Sequence, residues 1–124
     1  MSLMQSAQKI YGRPEAPTRS LRAIEYDLIA KTTQRLQAAS TSRDQNFPGF
    51  VAALSDNSQM WSTLAADVAG SENGLPAKLR GQLFYLYEFT AIHSKKVLSK
   101  NASVDVLIDI NTAIMRGLRG EGGQ

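Results

Sequence analysis

The stretch from Leu79 to Leu98 constrains this chain most, because wound as a helix it is apolar around nearly its whole circumference. Leu79, Leu83, Leu86, Thr90, His93 and Val97 fall on one stripe at helical spacing. Phe84, Tyr85 and Ile92 fall on the roughly opposite side, at about 100° per residue. A surface helix needs only one apolar stripe. Two such faces fit either the middle of a small bundle or a helix with a core on one side and a partner on the other.

The rest of the chain also reads as helix. Period-2 alternation is missing and β-branched residues are scattered. A short helix is expected over Leu3–Tyr11, ending at Gly12, and a helix of that length is marginal unless docked. Pro14 and Pro17 then enforce an extended connection. A second helix is expected over Thr18–Ala39, with Leu21, Ile24, Leu28 and Leu36 as its stripe, Thr32 between them, and Glu25, Asp27, Lys31 and Arg35 on other faces. A third begins near Phe47–Pro48, where proline suits the first turn, and continues to about Ala69 on the stripe Phe50, Leu54, Asn57, Trp61, Leu64 and Val68. Ser55-Asp56-Asn57-Ser58 is poor helix material, so a break there is one expectation. Gly70 suits a left-handed C-terminal cap, Pro76 opens the fourth helix, and Ser103 is the expected N-cap of the fifth, which carries Val104, Leu107, Ile108, Asn111, Ile114, Met115 and Leu118. The expected fold is all-α: a single domain over residues 1–124, built as a small helical bundle of four long helices plus a short N-terminal helix, with a mobile tail over 120–124.

The totals narrow the function classes. At 124 residues the chain fits one domain able to bury a real core. Cysteine is absent, which removes disulfides, thiolate nucleophiles and cysteine zinc sites. Met1 to Arg13 is polar, with Lys9 where an apolar signal core would continue, and no run approaches the roughly 18 apolar residues of a membrane span. A cytoplasmic protein without membrane insertion is expected. The net charge is +3, and the lysines gather only at Lys95, Lys96 and Lys100, in the last turns of a helix where cations meet the negative dipole end. A nucleic-acid binder more typically concentrates its cations on one element, so the pattern speaks against nucleic acid as a partner.

Catalytic chemistry finds no set of residues to carry it. His93, the only histidine, lies on an apolar stripe with no His or Cys companion, so it reads as structural, joining Asn57 and Asn111 in a buried polar network that sets helix register. Asp105 and Asp109 share a face but read as solvated, since a calcium site needs six or more oxygen ligands. Gly70 to Gly74 lies between helices and lacks the Gly-Lys-Ser/Thr ending of a phosphate loop. No cofactor, metal or catalytic residue is expected, and the chain does not read as an enzyme. The aromatic run Phe84, Tyr85, Tyr87 and Phe89 fits a core or an interface centre equally well by periodicity.

Residues 61–118 carry a further signal. Trp61-Ser62-Thr63-Leu64-Ala65-Ala66-Asp67-Val68-Ala69 is followed by Gly74-Leu75-Pro76-Ala77-Lys78-Leu79-Arg80, by Leu83-Phe84-Tyr85-Leu86, and by Ile108-Asp109-Ile110-Asn111-Thr112-Ala113-Ile114-Met115-Arg116-Gly117-Leu118. This succession, with Tyr11-Gly12-Arg13 near the start, resembles the FlaF family of alphaproteobacterial flagellar biosynthesis regulators. It spans most of the chain and is weakest from Ser40 to Met60. The resemblance implies a non-enzymatic protein that promotes flagellin production and filament assembly, opposite FlbT, a partner that restrains flagellin translation. It also implies flagellin binding in the manner of an export chaperone, and it transfers no catalytic residues.

A flagellin terminus is an amphipathic helix that tends to polymerise, and a chaperone would cover its apolar stripe in the helix-in-groove mode. Phe84, Tyr85 and Ile92 are the candidate groove floor, and Lys95 and Lys96 a rim that steers an acidic partner. An RNA-binding regulator of flagellin message is the alternative, and it predicts a steep salt dependence of binding.

Overall fold

The computed structural model describes residues 17–70 and 76–118, with side chains from Glu25 onward. The short helix expected over Leu3–Tyr11 and the tail at 120–124 lie outside those residues. Four helices make up the described chain: α1 (Pro17–Thr41), α2 (Phe47–Ala69), α3 (Ala77–Leu98) and α4 (Asp105–Leu118). They alternate in direction, as short connections favour. The α1–α2, α2–α3 and α1–α4 edges pack extensively, whereas α3 and α4 meet far less. Among the described residues the α3–α4 edge is therefore an open seam.

Two apolar clusters fill the interior. Leu36, Phe50, Leu54, Val97 and Leu107 centre the cluster at the end where α1 finishes and α2 begins. Ile29, Met60, Trp61 and Leu64 centre the other, flanked by half-buried Leu83, Leu86, Ile114 and Leu118. A polar level separates them. The Asn111 amide donates to Asn57 Oδ1 at 2.7 Å and to Thr33 Oγ1 at 3.1 Å, and Asn111 Oδ1 accepts the Trp61 indole N–H at 2.9 Å. The Thr33 hydroxyl in turn donates to the Ile29 carbonyl at 2.6 Å. Every polar atom of the Asn111 side chain is thereby used, as a buried amide requires.

Several helix details depart from expectation. All six residues of the α2 stripe are buried, and α2 runs unbroken through Ser55-Asp56-Asn57-Ser58. Asn57 is held there by Asn111, and the Ser58 hydroxyl reaches Ser94 at 3.4 Å, so tertiary bonds outweigh weak propensity. On α1 the buried line is Glu25, Ile29, Thr32, Thr33 and Leu36. Glu25 therefore faces inward, not outward as its charge suggested. Gly70 is not a left-handed cap: its φ is −69° and ψ 138°, extended backbone that any residue adopts. Among the described non-glycine residues the left-handed one is Lys100, with φ 65°, at the end of α3. The Asn101 N–H donates to the Lys96 carbonyl and the Lys100 N–H to the Val97 carbonyl, the paired bonds of a Schellman motif. His93 does not join the asparagines. Its ring lies on Phe89 at 5.5 Å, and its Nε2–H donates to the Ser103 carbonyl at 2.8 Å, tying α3 to the turn before α4. Ser103 itself accepts the Asp105 amide, as its capping role required.

The α1–α2 turn is held by Arg43, which the sequence did not single out. Its guanidinium lies 4.5 Å from the Phe50 ring centre and 5.8 Å from that of Phe47. Its Nη2 donates to the Val97 carbonyl at 3.2 Å, so a cation caps the negative end of α3. Arg43→Ala removes a cation–π contact and a charge-assisted hydrogen bond, and should lower stability by about 1–2 kcal/mol. Arg43→Lys keeps the charge but not the planar fork, so it should recover less than half of that loss in urea unfolding.

Candidate functional site

Amphipathic helices in a bundle hide their large apolar side chains. Among the described residues seven remain exposed, and six of them, Leu79, Phe84, Tyr85, Phe89, Ile92 and Leu98, belong to α3. Tyr85 is 66% exposed and Ile92 59%, while Phe84 is 38% exposed. The inner stripe of the same helix is in place: Thr90, Ser94 and Val97 are buried, with Leu83, Leu86, Tyr87 and His93 half-buried. Both apolar faces of α3 thus exist, one turned to the core and one to solvent. The aromatic run divides accordingly, Tyr87 packing against the Trp61 cluster and the other three facing out.

The outer face is not a single stripe. At about 100° per residue, Tyr85, Phe89 and Ile92 fall within roughly 60° of one another, and Lys96 continues their line. Phe84 is turned about 100° from Tyr85, toward the α2 flank, and Lys95 follows Phe84. Of the five candidate residues, the fold brings Tyr85, Ile92 and Lys96 together and sets Phe84 and Lys95 on a neighbouring line. Phe89 belongs with the first group, and its i, i+4 spacing from Tyr85 was the signal for it.

The Tyr85 line borders the open seam. A groove of about 540 Å³ runs between the N-terminal half of α3 and the C-terminal half of α4, lined by Leu79, Leu83, Tyr85, Leu86 and, across the seam, Ile114. Lys78 and Gln82 stand at its edge. Its wall is almost wholly hydrocarbon, so it suits an apolar side chain inserted from outside and offers little to a polar small molecule. Lys95 and Lys96 occupy the last turn of α3 and are exposed.

The one strongly perturbed acid lies elsewhere. Glu25 is 6% exposed, and its Oε2 atom meets no hydrogen-bond partner. Burial, and then the Asp67 carboxylate across α1 and α2, push its pKa up to about 7. It lies in packed interior, not in a cleft. Among the described residues no group of three or more His, Asp or Glu side chains is placed to hold a metal ion. No described helix is long and apolar enough to cross a membrane.

No curated protein and no solved structure matches this chain at a significant level. A family model does: that of the flagellar protein FlaF matches residues 7–118, which covers all four helices, the seam and the outer face of α3. The chain therefore belongs to the FlaF family of flagellar proteins.

Proposed function

We propose that this flagellar protein binds flagellin as an export chaperone, and thereby promotes flagellin synthesis and filament assembly opposite an FlbT-like repressor. The observation that carries the reading is the concentration of exposed apolar side chains on α3 beside an apolar groove. A second greasy face on a helix that already packs its inner face against the bundle is expensive to leave in water, at about 25 cal/mol per Å² of apolar surface. Covering it with the apolar stripe of a flagellin terminus would keep that terminus from polymerising before export. The action is one of binding alone, with no chemical step, in the cytoplasm where flagellin is made.

Tyr85→Ser with Ile92→Ser tests this reading. Both side chains are more than half exposed, so the double variant should keep the wild-type melting temperature within a few degrees. Capture of flagellin from motile cells should fall at least tenfold, since two central interface anchors each contribute on the order of 1–2 kcal/mol. Unchanged capture by the folded variant would put flagellin on another surface. Phe84→Ser should have the smaller effect, because Phe84 lies off the line that borders the groove.

A further inference from the structure

The outer line of α3 has a spacing that specifies its occupant. Lys78, Gln82, Tyr85, Phe89, Ile92 and Lys96 follow one another at intervals of four, three, four, three and four residues, and all six are exposed. That is the 3.5-residue period of a coiled-coil seam, with Gln82 and then three apolar positions between a lysine at each end. The lysines stand 18 positions apart, about 27 Å along the axis. Beside the seam, Leu79 and Leu86 lead into the groove against Ile114, and Gly81 also lines that groove, while Glu88 and Lys95 lie on the other flank of the line.

A second copy of this chain does not fit. Parallel self-pairing sets Lys78 against Lys78 and Lys96 against Lys96, and antiparallel self-pairing sets Lys78 against Lys96. Like charges face each other at both ends in either orientation, which is how such seams reject a partner. We infer that the outer line of α3 takes a helix of a different protein, paired as a coiled coil, whose own seam is apolar at its centre and carries carboxylates about five turns apart to meet Lys78 and Lys96. This rests on the flagellin-binding reading and deepens it, by giving the partner's segment a length, a period and a charge pattern. The lysines set register and speed encounter, and the apolar centre with the Ile114 groove holds the complex.

The test uses the full chain and two fluorescent helical peptides with the same apolar seam, one with glutamates and one with lysines at the two end positions. At low salt the glutamate peptide should bind about tenfold more tightly, and the gap should narrow at high salt because exposed charges are screened. The K78E/K96E variant, whose altered positions are exposed and whose circular dichroism should match wild type, should reverse the preference. Equal binding of the two peptides, binding of neither, or a preference unmoved by K78E/K96E would overturn the assignment. The two readings separate in a flagellin capture run alongside. Flagellin held equally by wild type and K78E/K96E removes the charge-registered seam and leaves flagellin binding standing. Peptide discrimination without flagellin capture removes flagellin and leaves the seam for another acidic helix.

Discussion

Glu25→Gln should make this protein more stable in alkaline solution and change it little in acid. The carboxyl is buried between α1 and α2 with one oxygen unpartnered, and its pKa is raised from 4.5 to about 7 by burial and by Asp67. The folded state therefore binds this proton more tightly than the unfolded chain does. The stabilising contribution of the protonated form is fully present below pH 4.5 and is lost as pH rises through 7. At 1.36 kcal/mol per pKa unit, the loss approaches about 3 kcal/mol above pH 8. Glutamine keeps the shape and cannot ionise, so the variant should escape that loss. Urea unfolding at pH 5 and pH 8.5 measures it: a small difference between the proteins at the lower pH, and a gain of about 2–3 kcal/mol for Glu25→Gln at the higher. An equal gain at both pH values would mean that Glu25 is not protonated on folding. Asp67→Asn should give a fraction of the same gain, because it removes only the secondary cause.

That carboxylate also shows where sequence reasoning stops. Glu25 lies four residues before Ile29 and seven before Thr32, on the line α1 buries, yet a glutamate is normally solvated and is read as outward-facing. Only the packed neighbours reveal the exception. The α2 stripe was legible throughout because Phe50, Leu54, Trp61, Leu64 and Val68 are unambiguous, and Asn57 shares their spacing. Polar partners were harder. Asn57 and Asn111 do meet, but Trp61 and Thr33 complete their set while His93 caps a turn, since a side chain's partner depends on which helices become neighbours. For a similar reason Gly70 did not take the left-handed cap expected of it, and Lys100, for which none was expected, took that conformation. The geometry of each helix end follows from where the next helix must start, and residue preference yields to it. On α3, periodicity located both faces but could not tell which lacked a neighbour. The sparse α3–α4 contact, a tertiary fact, leaves Tyr85, Phe89 and Ile92 outside.

The polar level in the core should be the most sensitive point in the fold. Asn111→Ala deletes three hydrogen bonds at once. It strands the Trp61 indole N–H and Asn57 Oδ1 in an interior where Trp61 is 1% exposed and Asn57 fully buried. Each stranded group costs about 1–3 kcal/mol, so a loss of about 3–5 kcal/mol is expected in equilibrium unfolding, a large share of what a domain this size has. Asn57→Leu should be milder, about 1–2 kcal/mol, because it also removes the one buried amide nitrogen of the set that has no partner. The double variant Asn57→Leu/Asn111→Leu should lose less than the two single leucine changes added together, by about 1–2 kcal/mol, since residues in one network couple. A single loss at Asn111 under 1 kcal/mol, or strict additivity in the cycle, would show that these groups do not bond to one another. What the network secures is register: Asn111 can meet Thr33, Asn57 and Trp61 together only when α4 sits at one height against α1 and α2. That height also brings Ile114 opposite Leu83 and Leu86, where the outer groove lies. Loosening the core at Asn111 should therefore weaken partner binding even under conditions where the variant remains folded.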